Sequence, residues 1–297
     1  MAIDLSKNYQ PHEGQVKIHK ARRWADTVVL RLARRFGKTR GGLGDFIDAY
    51  TDVQNEGRGA DMVPPFHAWI VVPSFPQGRQ SWHELLSLMP QEMIHEVRQA
   101  DKMIWVKDLM GNWQGRPGLL ELKSASDSES LQTVGLDYLW LDEAQDIENE
   151  AQEKVWPTRI SAGRLGLTLA TGIPALYAEH WFHRLYVAAE LRMKEGQHRK
   201  TFAMTATAFE NPLLTERELQ VIEEDKEVMS LSSWERLYLA KFSSSAGFFR
   251  NVEGCIAGDL LTGPIPGQRY VAGLDIGLSH DPTVLYIMSA VERNVVH

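Results

Sequence analysis

The chain has 297 residues, 43% of them hydrophobic and 24% charged, the composition of a folded protein rather than a disordered tail. Its net charge of −7 excludes a surface that is basic all over, and no apolar run reaches the roughly 18 to 20 residues that span a bilayer. MAIDLSKNYQ lacks the apolar core of a signal peptide, and the single cysteine, Cys255, excludes an internal disulfide and a CxxC-type zinc site. A reducing, cytoplasmic setting without membrane contact is expected.

In chain order, charge comes first. From Lys17 to Arg40 stand nine Lys or Arg (Lys17, Lys20, Arg22, Arg23, Arg31, Arg34, Arg35, Lys38, Arg40) against one acid, Asp26. Such sorting faces a polyanion, and nucleotide phosphates or DNA are the candidates. Val28 to Ala33 is a β-branched, apolar run that ends at a glycine-containing turn, after which TRGGLGDFIDAY resumes with helical spacing. Further strands are predicted at 67–73, 103–109, 119–125, 138–141, 167–171 and 201–206, with helical stretches at 77–99, 143–156 and 175–195. Strands alternating with helices predict an α/β fold, a largely parallel sheet flanked by helices. The runs 103–109 and 119–125, joined by GNWQGRPG, predict an antiparallel hairpin. After a helical segment at 214–242 the composition shifts to Ser, Gly and Pro, which sets a first domain at 1–245, a linker at 246–268 and a fragment of a second domain at 269–297. In that fragment RYVAGLDIGLSHDPTVLYIMSA reads as strand, turn, strand.

The strongest local signal is ARRFGKT, Ala33 to Thr39, between a strand and a helix, where a phosphate loop sits. Backbone N–H groups around Gly37 would face phosphate oxygens, Lys38 would reach the β and γ phosphates, and the Thr39 hydroxyl would bind Mg2+. Leu32 stands where the usual first glycine of the motif would be. The complementary half is YLWLDEAQ (138–145), an apolar strand ending in acids. Asp142 would hold magnesium directly or through water, and Glu143 would orient and deprotonate the attacking water. Two acids at an exposed helix N-terminus would satisfy the same local pattern.

These residues resemble the large terminase subunits of tailed double-stranded DNA phages, whose deviant Walker A motif carries an arginine three positions before the GK glycine, here Arg34. YQPHEGQ (9–15) resembles the family's adenine-contacting motif with Gln15 as the reader, Asp142 and Glu143 match its Walker B acids, and LATGIP (169–174) resembles its coupling motif around Thr171 and Gly172. WPTRISAGRLG (156–166) and ENPLL (210–214) are also similar to family segments. The resemblance implies a RecA/ASCE-like P-loop ATPase with Arg34, Arg35, Phe36, Gly37, Lys38, Thr39 and Arg40 around ATP, and Arg34, Lys38 and Glu143 as catalytic groups. It implies an RNase H-like nuclease afterwards, with Asp275 of GLDIG (273–277) as the first ligand for Mg2+ or Mn2+ and Asp281 as a weaker candidate; the remaining ligands would lie beyond His297, so the chain reads as a truncation. The implied partners are double-stranded DNA, the portal protein and the small terminase subunit. The implied assembly is a five-membered homo-oligomeric ring on the portal, with a monomer in isolation as the other expectation. The implied setting is the host bacterial cytoplasm, with transient docking on the procapsid and absence from the mature virion.

One departure concerns the arginine that many relatives carry about ten residues before the Walker B aspartate and direct at the neighbouring subunit's ATP; Gln132 lies in that region here. Arg159 and Arg164 are the substitutes by charge alone, and a trans-acting arginine adds about 10³ to 10⁵ in rate, so slow hydrolysis is expected before assembly. Three other readings remain open at this stage. DEAQ also fits a DExx-type helicase, the P-loop domain could serve a metal-dependent nuclease by binding DNA alone, and the chain could be a non-catalytic portal-docking scaffold.

Overall fold

Alternation along the central strands decides the architecture. Val28 and Leu30 face one hydrophobic layer while Val29 faces the other, and Tyr138 and Trp140 likewise part company with Leu139 and Leu141. Such strands are buried on both faces, which a helix-covered parallel sheet requires. The computed structural model describes residues 9–56, 61–132, 134–196, 200–242, 263–275 and 284–290. The chain divides into two compact units, residues 1–246 and 247–297.

The first unit runs α1 (Glu13–Arg22), β1 (Thr27–Leu32), α2 (Lys38–Glu56), β2 (His67–Val72), α3 (Phe75–Leu88), β3 (Ile94–Arg98), β4 (Met103–Val106), β5 (Gly118–Ser124), β6 (Tyr138–Leu141), α4 (Asn149–Val155), β7 (Leu167–Gly172), α5 (Trp181–Glu195), β8 (Thr201–Ala206), α6 (Glu216–Val228) and α7 (Leu231–Tyr238). Eight strands form one sheet in the order β3-β4-β5-β2-β6-β7-β1-β8. The six from β5 to β8 in that order are mutually parallel, and β3 and β4 extend the sheet antiparallel to them. The α/β expectation and the hairpin of 103–109 with 119–125 both hold. Strand β7 lies between β1 and β6, so the carboxyl ends of these three parallel neighbours meet at one edge, the place where open α/β sheets bind ligands.

Several elements differ from the sequence expectation. The stretch 77–99 is not one helix: Met89 is extended (φ −67, ψ 125) ahead of Pro90, and β3 follows. A residue before proline is driven out of the α region, which ends α3 there. Within 143–156 the α-helix covers only Asn149–Val155, with a short 3₁₀ turn at Ala144–Asp146 before it. Within 175–195 the helix starts at Trp181, capped by His180, and Gly196 ends it in a left-handed conformation at φ 63. The segment 214–242 holds two helices, each begun by a hydroxyl cap, Thr215 for α6 and Ser230 for α7.

Helix α2 lies close to the sheet because its glycines leave room, Gly42 against the Trp140 indole and Gly44 against Tyr9 and His19. Behind it, Arg22 of α1 donates to both oxygens of Asp45 on α2, to the Ala25 and Asp26 carbonyls and to the Thr168 carbonyl, while Tyr138 donates to Asp45 Oδ2. This buried ion pair is fully hydrogen-bonded, the condition under which desolvated charges are tolerated. In the second unit β9 (Tyr270–Asp275) and β10 (Val284–Ser289) form an antiparallel pair. Among the described residues no helix is long and apolar enough to cross a membrane.

Candidate nucleotide site

The loop leaving β1 makes its turn with Arg35 at φ 68 and Gly37 at φ 92, after which α2 begins directly at Lys38. Gly37 is under two constraints, the left-handed backbone and the Gln15 amide packed where a Cβ would stand. The loop is held from outside as well. His12 Nε2 pairs with the Phe36 carbonyl at 2.9 Å, Gln15 Nε2 donates to the Gly37 carbonyl at 3.0 Å, Arg34 N donates to the Leu237 carbonyl at 2.7 Å, and Asn211 Nδ2 donates to the Arg35 carbonyl at 2.6 Å. Carbonyls turned outward onto these supports leave the opposite face of the loop for an anion.

That face opens on a cleft of about 620 Å³ that contains Arg34, Arg35, Gly37, Lys38, Thr39 and Arg40 of the loop and helix start. Across it stand Gln77, Gln80 and Ser81 of α3 and Glu143 after β6. Five cations (Arg34, Arg35, Lys38, Arg40, Arg236) line the cleft against three carboxylates (Glu84, Glu143, Asp146), so its charge suits a polyanion.

The acids at the end of β6 lie below the lysine. Lys38 Nζ is 3.8 Å from Glu143 Oε1. Asp142 is 1% exposed. Its Oδ2 accepts from the Ser81 hydroxyl at 2.9 Å, and its Oδ1 accepts from the Thr171 hydroxyl at 2.9 Å and from Glu143 N at 3.1 Å. Burial first, and then the neighbouring Glu143 charge, push the Asp142 carboxyl up to about 6 against the pull of the Thr171 and Ser81 hydroxyls and Lys38. Thr171 in turn accepts from Trp140 Nε1 at 2.9 Å, so the relay runs from indole to hydroxyl to carboxylate. Glu143 adopts a left-handed backbone, φ 49 and ψ 47, a conformation rare outside glycine and asparagine and concentrated at functional positions. Gln145 fixes its carboxylate: Nε2 donates to Glu143 Oε2 and Asp146 Oδ2, and Oε1 accepts from Ile173 N, beyond the end of β7.

The structure therefore brings Arg34, Arg35, Gly37, Lys38, Thr39, Arg40 and Glu143 to one cleft and sets Asp142 beneath it. Like Asp142, the candidate nucleotide-site residues Gln15, Phe36 and Thr171 do not line it. Gln15 is 3% exposed and spends its amide on Gly37 and on His12 N, Phe36 is fully buried behind the loop, and Thr171 is buried and acts through Asp142. Each supports the loop or the acid from within. The two substitute arginines are also used internally. Arg164 donates to Asp137 Oδ2 at 2.6 Å and to the Pro64 and Pro65 carbonyls, and Arg159 is 6% exposed with its guanidinium 3.6 Å from the centre of the Trp156 ring. Gln132 is exposed and pairs with Glu129. Asp275 ends β9 opposite Val284, whereas Asp281 and Cys255 lie outside the described residues.

Sequence reading missed the cleft's far wall. Helix α7 supplies Arg236 and Tyr238 there. Arg236 Nη1 donates to the Pro174 carbonyl at 3.1 Å, and Tyr238 donates to Asp225 Oδ2. No motif spacing marks them. They arrive because Trp234 and Ile222 pack with Ala33, Ala208 and Ala240 in a separate small core beside the phosphate-loop segment.

Among the described residues no group of three or more His, Cys, Asp or Glu could hold a metal unaided. The donor set still suits magnesium, which binds through one or two carboxylates together with substrate phosphates and water. Asp142 and Glu143 stand side by side at the end of β6, and the burial and charge repulsion that hold the Asp142 carboxyl up are what a divalent cation would offset.

No protein-family model and no curated protein matches the sequence. Solved structures do match. The large terminase ATPase domain of Thermus phage P74-26 superposes with TM-score 0.61 at 19% identity, covering 79% of this chain and 95% of that one. The large terminase of a thermophilic bacteriophage superposes with TM-score 0.60 at 15% identity over 94% of this chain and 65% of that one, and that protein has also been solved with ADP and with ATP-gamma-S. The HK97 bacteriophage large terminase gives TM-score 0.57 at 14% identity over 95% and 60% of the two chains. The chain has the α/β fold of the large terminase ATPase domains and spans less than two thirds of the length of the latter two proteins.

Proposed function

We propose that this chain is the ATP-hydrolysing motor part of a large terminase, which drives double-stranded viral DNA into procapsids. The observation that carries this reading is the meeting of Lys38 with Glu143 in one cationic cleft, with the buried Asp142 beside Glu143, on a fold shared with large terminase ATPase domains.

The geometry supports hydrolysis as follows. Arg34, Lys38 and the N–H groups at the start of α2 bind the triphosphate and offset the charge that spreads over the transferred phosphoryl. Thr39 and Asp142 would hold Mg2+, which would supply neutralisation of phosphate charge. Glu143, fixed by Gln145, orients a water and takes its proton as the water oxygen bonds to the γ-phosphorus. The bond to the bridging oxygen breaks, and ADP leaves with the electron pair. Glu143 faces Lys38, and a bound phosphate would replace this carboxylate as the lysine's partner.

The remaining parts of the reading rest on the resemblance. They are docking on a portal as a homo-oligomeric ring, cooperation with a small terminase subunit, action in the host bacterial cytoplasm, and a nuclease function beginning at Asp275 with Mg2+ or Mn2+. Arg159 and Arg164 are engaged within the chain, which favours neither as a trans-acting arginine, and slow turnover by the isolated chain is expected.

The test is ATP turnover with and without DNA and procapsids, run beside Lys38→Ala and Glu143→Gln. Both variants should fall at least about 10²-fold in rate while keeping the wild-type circular dichroism, since each removes a group aimed at developing charge or at the water. Stimulation by both partners is expected for a packaging motor. Wild-type turnover in either variant would remove the site assignment, and strand separation without packaging would favour a helicase.

A further inference from the structure

One cation of the cleft comes from outside the phosphate-loop segment and is tied by its side chain to the segment after β7. Arg236 comes from α7, far along the chain from the phosphate loop, and is about half buried. Burial foremost, and the nearby Arg34 charge, lower its ionisation, and only Asp146 pulls the other way. No carboxylate lies within ion-pair distance of it among the described residues. Its one hydrogen-bond partner among them is the Pro174 carbonyl at 3.1 Å. A guanidinium carries five donors in a planar fork suited to phosphate, so a single carbonyl leaves most of that capacity unused in a partly desolvated place.

The carbonyl it holds is not an arbitrary one. Pro174 follows Ile173, whose N–H donates to Gln145 Oε1 at 3.1 Å, and the same Gln145 amide donates to Glu143 Oε2 at 2.9 Å. At its other end Arg236 adjoins Leu237, whose carbonyl accepts from Arg34 N at 2.7 Å. A hydrogen-bonded path thus runs from the phosphate loop through α7 and Arg236 to the segment after β7 and on to Glu143.

We infer that Arg236 is a phosphate-sensing switch of this site: it holds the Pro174 carbonyl as seen here and exchanges it for a terminal phosphate oxygen of a bound nucleoside triphosphate. The exchange frees the 173–174 segment only when the terminal phosphate is present, so the segment after β7 reports which nucleotide is bound. The inference rests on the nucleotide reading above. It adds a residue and a mode of regulation that neither the phosphate-loop motif nor the acids supply.

The experiment compares wild type, Arg236→Ala, Arg236→Lys and Lys38→Ala as full chains, with ATP-gamma-S and ADP affinities from calorimetry and hydrogen exchange of the amides at 172–178. Arg236→Ala should bind ATP-gamma-S about 10- to 100-fold more weakly, the range of one or two charge-assisted hydrogen bonds, and bind ADP within about threefold of wild type. Retained ADP binding doubles as the folding control. Arg236→Lys should recover part of the triphosphate affinity through its charge. In wild type, ATP-gamma-S but not ADP should speed exchange after β7, and in Arg236→Ala exchange should already be fast without nucleotide. Equal weakening of both nucleotides, or exchange at 172–178 that ignores the nucleotide and the substitution, would overturn the switch while leaving the site intact. If wild type bound neither nucleotide, or Lys38→Ala bound both as tightly as wild type, the nucleotide reading itself would fall and the switch with it.

Discussion

Asp142 is a carboxyl in a place where burial and a neighbouring acid both oppose its charge. Its folded ionisation lies at about 6 against an ordinary 3.8, so the folded state takes up a proton before the unfolded state does. The stability this confers is complete below about pH 4 and is lost as pH rises through about 6, by an amount on the order of 3 kcal/mol. Asparagine would keep the Thr171 and Ser81 contacts, because hydroxyls rotate to donate or accept. Asp142→Asn should therefore be about 1 to 3 kcal/mol more stable than wild type at pH 8 without nucleotide or divalent cation, and the difference should shrink below pH 5. Urea titrations at the two pH values measure this; a less stable variant at pH 8 would contradict the assigned ionisation. The sequence made Asp142, Glu143 and Lys38 legible because motif spacing is local chemistry on a strand-loop-helix unit. It offered Gln15 as a base reader from its type and position, and nothing local in the sequence says that its amide also holds the Gly37 carbonyl. Arg236 was invisible for the converse reason: it belongs to the site only through the packing of Trp234 beside Ala33.

At the scale of elements, the site depends on how closely α2 approaches β6. A Cβ at Gly42 would fall inside van der Waals contact with the Trp140 indole, and that indole holds Thr171, which holds Asp142. Trp140 is 1% exposed among buried neighbours and has no empty space to enter, so relief must come from shifting α2 and its phosphate-binding start. Gly42→Ala should destabilise by about 1 to 3 kcal/mol despite the better helix propensity of alanine, and should lower turnover more than an equally destabilising change elsewhere. Denaturant unfolding set beside kcat decides it; an Ala variant that is more stable and fully active would mean the helix has room to spare. Glycine at this place reads in the sequence as a weak helix position, yet its role is proximity. The same kind of blindness produced the single helix expected over 77–99. Pro90 was a visible stop, but β3 has exposed and half-buried positions and pairs only with β4, so its period carried little signal. The buried strands β1, β2 and β6 were legible because sheet burial on both faces forces continuous apolar runs.

At the scale of the whole molecule, every cleft residue lies between Arg34 and Tyr238, inside the first of the two units. All nine tryptophans, from Trp24 to Trp234, also belong to that unit, so intrinsic fluorescence reports its unfolding and is silent on residues 247–297. A ligand that binds the folded cleft and not the unfolded chain stabilises by about 2.7 kcal/mol at a hundredfold excess over its dissociation constant. For a domain of this size each kcal/mol moves the midpoint by about 2 to 4 °C, so nucleotide at that excess should raise the tryptophan-detected Tm by roughly 5 to 10 °C. Lys38→Ala should lose most of that shift, because the lysine is the cation at the start of α2 facing Glu143. A midpoint unmoved by ATP-gamma-S and ADP in the wild type would deny a nucleotide site to this unit. A shift that survived Lys38→Ala undiminished would put the nucleotide somewhere other than the cleft between the phosphate loop and α7.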